Sequence, residues 1–139
     1  MTRVGALMTK TVVQLPAEAN LVEAAGAMRD VDIGDVVVTA RGVLVGLVTD
    51  RDIVVRAVAE GKDPATTRLS DVITGDVVLV RQDASLEDAA ELMRQHSVRR
   101  LVVTDDVGQV AGVISLGDLA AVRDPASTLG SISSAPPNN

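Results

Sequence analysis

The 139-residue chain is long enough for one compact domain with a real core, and 47% apolar with 23% charged residues is a globular composition, not a disordered one. A net charge of -6, 13 Lys and Arg scattered among 19 acids, and no Phe, Tyr or Trp argue against duplex or single-stranded nucleic acid and against an anionic membrane as partner. No apolar run approaches the ~18 residues needed to cross a bilayer. Thr9, Lys10 and Thr11 interrupt the N-terminus where a signal peptide needs an apolar stretch, and cysteine is absent, so the expected compartment is the cytosol.

In chain order, Val12-Val13-Gln14-Leu15 reads as a short strand. Asn20 is a good helix N-cap, with Glu23 three positions on completing a capping-box pattern. Leu21, Ala24, Ala25 and Met28 then form an apolar stripe at helical spacing. Two β-rich runs follow, Val36–Thr39 and Val43–Val48, with Gly42 marking the turn between them. A second helix begins near Asp50 and carries Ile53, Val54, Ala57 and Val58. Gly61–Arg68 reads as a linker.

The same series then repeats. Val77–Val80 is a strand, Ser85 with Asp88 a capping pair, and Leu86, Ala89, Ala90 and Met93 a helical stripe. Leu101–Thr104 and Val110–Ile114 are strands around Gly108, and a closing helix from near Leu116 carries Leu119, Ala120 and Val122. Residues 4–41 align with 69–106, and after skipping Val107 residues 42–56 align with 108–122. About 15 identities fall in roughly 53 pairs, among them Met28-Arg29 with Met93-Arg94, Gly46 with Gly112 and Asp52 with Asp118. Residues 4–61 and 69–123 are therefore two β-α-β-β-α repeats, 62–68 a linker and 124–139 a mobile tail. A half of this size is marginal alone. The expected fold is α/β, with the two repeats packed by their apolar sheet faces around a pseudo-twofold axis.

Each repeat ends its last strand on Gly-φ-φ-Thr/Ser-x-x-Asp: Gly46-Leu47-Val48-Thr49-Asp50-Arg51-Asp52 and Gly112-Val113-Ile114-Ser115-Leu116-Gly117-Asp118. With Met8-Thr9 before the first strand and Val98-Arg99-Arg100-Leu101-Val102-Val103 entering a middle strand, the chain resembles the CBS domain family from Val4 to about Arg123. Thr49–Arg56 looks like bacterial proteins that consist of little besides one CBS pair. The resemblance implies a regulatory module, not an enzyme, that binds an adenine nucleotide or related adenosyl compound in clefts between the two repeats. AMP, ADP, ATP, NADH and S-adenosylmethionine are the candidate ligands, and no cofactor is required.

The resemblance further implies that Asp52 and Asp118 hold the ribose diol, with Thr49 and Ser115 near sugar or phosphate. A carboxylate has two acceptor oxygens for two hydroxyls. The same spacing fits a helix capping box that needs no ligand. Arg99 and Arg100 are the candidate phosphate cations, and the aligned Gly34 and Asp35 offer none, so the two clefts are unequal. Val37 and Val102 stand where the family often carries proline. Val13, Ile33, Val78, Val98 and Val113 are candidates for an aliphatic slot around adenine, and each also reads as core.

Catalysis has little to build on: His96 is the lone imidazole, near a helix end, and no ligand spacing suggests a metal. An apolar edge on the closing helices (Ile53, Val54, Ala57, Leu119, Val122) suits a homodimer, and a further regulated protein is an open partner. The alternative reading is a ligand-independent assembly module.

Overall fold

The computed structural model describes residues 2–73 and 77–123, so the expected tail lies outside the described residues. The chain divides into two compact units. Of the described residues, the first holds 11–73 and 77, and the second holds 2–10 together with 78–123.

In the first unit, β1 (Gln14–Pro16), α2 (Leu21–Val31), β2 (Asp35–Ala40), β3 (Val43–Thr49) and α3 (Asp50–Ile53) follow one another, with α1 (Val4–Leu7) preceding them in sequence but belonging to the second unit. A π-helical turn, Val54–Val58, extends α3, and a 3₁₀ turn spans Leu69–Asp71. The second unit continues with β4 (Leu79–Arg81), α4 (Leu86–His96), β5 (Arg100–Thr104), β6 (Val110–Ser115) and α5 (Leu116–Arg123). Both sheets have the same order, β1-β2-β3 and β4-β5-β6. In each, the central strand runs parallel to the first and antiparallel to the third. Each also carries an irregularity at the same aligned point, Val38/Thr39 and Val103/Thr104. Two β-α-β-β-α halves of identical strand order are thus present, as the repeat requires.

Local chemistry explains the element ends. The Asn20 side chain accepts the Glu23 N–H at 2.9 Å, and Ser85 accepts the Asp88 N–H at 3.1 Å. Only this forward half of the expected capping box forms, because Glu23 and Asp88 are exposed and solvated. Helices α2 and α4 stop at aligned left-handed residues, Asp32 (φ 59°) and Ser97 (φ 54°). The β2–β3 hairpin turns on Arg41 (φ 54°) and Gly42 (φ 78°), the two left-handed positions a tight hairpin needs.

The first unit's core gathers Leu21, Ala24 and Met28 of α2 with Val36, Val38 and Val48 of the sheet, and with Ala57, Leu69 and Val72. The second gathers Ala89 and Met93 with Leu101, Val103 and Ile114, and with Val4 and Leu119. Ala25 is exposed and Ala90 half-buried, so the stripes are narrower than the sequence suggests.

Three expectations change. The first strands begin two residues later than the apolar runs. The closing helix of the first repeat is regular for only four residues and then widens into the π turn, where Ile53-Val54-Val55 stacks three branched side chains that crowd a regular helix. Among the residues expected on its apolar edge, Ala57 (1% exposed) and Leu119 (2%) are buried in their own cores, and Ile53 packs against the first. Val54 (57%), Val55 (45%) and Val58 (63%) are the exposed ones, with Leu116 and Val122 in the second unit.

The leading segments pack with their elements in an unexpected way. Val4 is fully buried in the second core, and its N–H donates to the Ala84 carbonyl. Thr9 and Val113 exchange two backbone hydrogen bonds, of 2.9 and 3.1 Å, which extends the β6 edge. The stretch read as linker is ordered on the first unit: the Leu21 N–H reaches the Pro64 and Thr67 carbonyls, and Thr67 is buried. Among the described residues no helix is long and apolar enough to cross a membrane.

Candidate functional site

Strand direction brings the motif residues to one end of each sheet. In the first unit, the start of β1 after Val13, the start of β2 after Ile33 and the end of β3 at Thr49 coincide, because β1 and β2 are parallel and β3 returns antiparallel. Asp35 and Thr49 are direct cross-strand partners there. In the second unit, Val78, Val98 and Ser115 gather in the same way, and Arg100 is the cross-strand partner of Ser115. Cross-strand partners share a face, so one sheet end pairs its hydroxyl with an acid and the other pairs it with a base.

Both motifs form full capping boxes. Thr49 N–H donates to Asp52 Oδ2 at 2.9 Å, and Asp52 N–H donates to Thr49 Oγ1 at 3.1 Å. Ser115 N–H donates to Asp118 Oδ2 at 2.8 Å, and Asp118 N–H donates to Ser115 Oγ at 3.2 Å. The box holds each carboxylate in one rotamer and uses a single oxygen. The two Oδ1 atoms differ. Arg56 Nε lies 3.7 Å from Asp52 Oδ1, whereas among the described residues nothing donates to Asp118 Oδ1.

The motif glycine has a steric cause. A Cβ on Gly112 would lie 2.6 Å from the Thr9 carbonyl oxygen and 2.7 Å from Met8 Sδ, because the N-terminal segment crosses β6 at that point. In the second motif the glycine therefore marks where the N-terminal segment passes.

Arg99 is exposed, and its carbonyl accepts the Leu116 N–H at 2.8 Å, so it fixes the start of α5 through its backbone. Arg100 is half-buried and Arg51 exposed. The aliphatic candidates divide between the units. Val13 and Ile33 pack against the first core, and Val78 and Val98 against the second. Val113, on β6, is also buried, at 5% exposure, and is the cross-strand partner of the fully buried Val102. Each of the first four thus has a packing role of its own. His96 is exposed at the end of α4. Among the described residues no three His, Asp or Glu side chains gather closely enough to hold a metal ion. Sequence reasoning missed Arg56, whose partners lie 16 and 17 residues away in the Val72 and Ile73 carbonyls.

An open groove of about 420 Å³ lies beside β4 and α4, lined by Leu79, Arg81, Asp83, Asp88, Glu91 and Leu92 among others. It contains no motif residue.

Comparison with known proteins gives a consistent result. The model of the family described as CBS domain matches twice, at residues 4–58 and 69–124. The chain is 39% identical over 120 residues to the CBS domain-containing protein YhcV of Bacillus subtilis, covering 86% of this chain and 84% of that protein. The crystal structure of Hypoxic Response Protein I with two coordinated zinc ions is similar with a TM-score of 0.69 and 30% identity, over 86% of this chain and 98% of that one. The hexameric CBS-CP12 protein from bloom-forming cyanobacteria aligns with a TM-score of 0.79 and 27% identity, over 92% and 77%.

Proposed function

Since the chain belongs to the CBS domain family and carries two copies of the domain, we propose that it is a non-enzymatic regulatory module that binds an adenine nucleotide or related adenosyl compound at its two hydroxyl–carboxylate motifs. The observation that carries this reading is the duplicated geometry at the sheet ends. Each carboxylate is oriented by its cap through one oxygen, and a cis-diol needs an acceptor held in place in this way. The bland capping role and the ligand role are therefore compatible, since a carboxylate offers about four lone-pair sites and the cap uses one.

The two motifs are unequal in charge. Arg100 stands across from Ser115, and Asp35 stands across from Thr49. A guanidinium can donate charge-assisted hydrogen bonds to a phosphate, which the acid at the aligned place cannot. Arg99, exposed next to Arg100, adds a second cation. Val113, Val78 and Val98 supply aliphatic surface near the second motif, and Val13 and Ile33 near the first. AMP, ADP, ATP, NADH and S-adenosylmethionine are the compounds to titrate.

Isothermal calorimetry tests the reading with a variant that separates the two roles. Asp118→Asn keeps an oxygen for the Ser115 N–H but removes the carboxylate, so it should preserve the melting temperature and weaken AMP by roughly 1–3 kcal/mol. No heat and no thermal shift with any of these compounds at millimolar concentration would overturn the reading.

A second reading has its own observation. Val54, Val55 and Val58 expose apolar surface on one short helical segment, and the similar CBS-CP12 protein is hexameric. On this reading the chain is a homodimer built through that segment, with or without ligand. Val58→Asp should then lower the mass measured by light scattering from about twice 14.4 kDa to about 14.4 kDa.

A further inference from the structure

Arg56 lies one turn beyond the first motif and joins two parts of the first unit. Its Nε sits 3.7 Å from Asp52 Oδ1, and its Nη1 donates to the Ile73 carbonyl at 3.1 Å and to the Val72 carbonyl at 3.5 Å. Val72 is buried in the first core, and Val72 and Ile73 belong to the leading segment of the second repeat, which packs in the first unit. The Asp52 carboxylate is thus engaged on both sides: Oδ2 takes the Thr49 N–H, and Oδ1 faces the guanidinium.

The second repeat has the same frame with an apolar residue at the place of Arg56. Val122 is the mate of Arg56, and Leu7 and Met8 are the mates of Val72 and Ile73. Asp118 is capped in the same way as Asp52.

We propose that Arg56 is a clamp: it ties the first motif's carboxylate to the leading segment of the second repeat, and a cis-diol ligand must displace it to bind at Asp52. The proposal rests on the adenosyl-binding reading. It makes the second motif the one that fills first, and it makes occupancy of the first motif loosen the second repeat's leading segment, Leu69–Ile73. Arg56 is a positioning residue here, acting on the ligand only through Asp52. Its side chain is half exposed and that of Asp52 is 13% exposed, so solvent screens the pair and the penalty on binding is a few-fold at most.

Adenosine is the probe, because it is neutral and a change in protein charge does not act on it directly. Calorimetry on the full chain compares wild type, Arg56→Val and Val122→Arg, with 2′,3′-dideoxyadenosine as the ligand lacking a diol. Arg56→Val should tighten the weaker class of adenosine sites roughly threefold and leave the stronger class alone. Val122→Arg should weaken the stronger class by a similar factor. Dideoxyadenosine should bind wild type and Arg56→Val equally. Amide exchange across Leu69–Ile73 should quicken in Arg56→Val without ligand, and in wild type on saturation with adenosine. Unchanged exchange in Arg56→Val refutes the clamp, and so does faster exchange without a tighter weak class. If Asp118→Asn abolishes adenosine binding and Arg56→Val opens no second class, the clamp is wrong while the adenosyl reading stands. If neither wild type nor Arg56→Val takes up adenosine, the clamp is wrong, and the titrations with AMP, ADP, ATP, NADH and S-adenosylmethionine decide the adenosyl reading.

Discussion

Replacing Gly112 by alanine adds a single methyl group, and the structure sets its cost. The new Cβ would stand 2.6 Å from the Thr9 carbonyl oxygen, 2.7 Å from Met8 Sδ and 2.9 Å from Met8 Cγ. The methionine side chain is flexible and can swing aside. The Thr9 oxygen is backbone, and it is the acceptor of the Val113 N–H at 3.1 Å, while the Thr9 N–H donates to Val113 at 2.9 Å. Relieving the clash means pulling the N-terminal segment off the β6 edge. Two backbone hydrogen bonds at about 1 kcal/mol each and about 1 kcal/mol of residual overpacking give a loss of about 3 kcal/mol. Urea unfolding followed by far-UV circular dichroism measures it, since the chain lacks Trp and Tyr for fluorescence. A Gly112→Ala protein within about 0.5 kcal/mol of wild type, the usual range for a surface change, would refute the account of why the motif begins with glycine.

Gly26 is the contrasting case: in the middle of α2 its Cβ would meet only Arg29 Nη2 at 3.9 Å, so Gly26→Ala should raise stability by roughly 0.5–1 kcal/mol in the same urea series. Val4→Ala, at a fully buried position of the second core, should cost about 2 kcal/mol, whereas Val107→Ala, 79% exposed, should leave the melting temperature unchanged. Thr49→Ala and Ser115→Ala each remove a cap acceptor and should cost about 1 kcal/mol with or without ligand, as read by thermal melts. Freshly purified protein should be nearly transparent at 280 nm, so a peak near 260 nm would show directly that a nucleotide travels with it.

The repeat, the order of elements and the two hydroxyl–carboxylate pairs were all legible in the sequence, because each rests on local chemistry. Asn20 and Ser85 cap by reaching three residues ahead, Gly42 supplies one left-handed turn position, and Thr49 with Asp52 close a box within a single turn of chain. The duplication let each such signal be read twice. What only the tertiary structure decided are contacts between residues far apart in sequence, where pattern has no hold. That Val4 belongs to the second core, that Thr9 closes the β6 edge against Val113, and that Leu69 and Val72 complete the first core follow from where each leading segment comes to rest. The apolar run Ile53–Val55 told of a helix but not of which valines it would leave in solvent, since widening into a π turn rotates the buried face. The contrast of Arg100 with Asp35 was legible in the aligned repeats; the second difference, the Arg56 guanidinium beside Asp52, depends on carbonyls 16 and 17 residues further on. Spacing fixed the orientation of the two carboxylates; the path of the chain brought Arg56 and the Val72 and Ile73 carbonyls to the first of them.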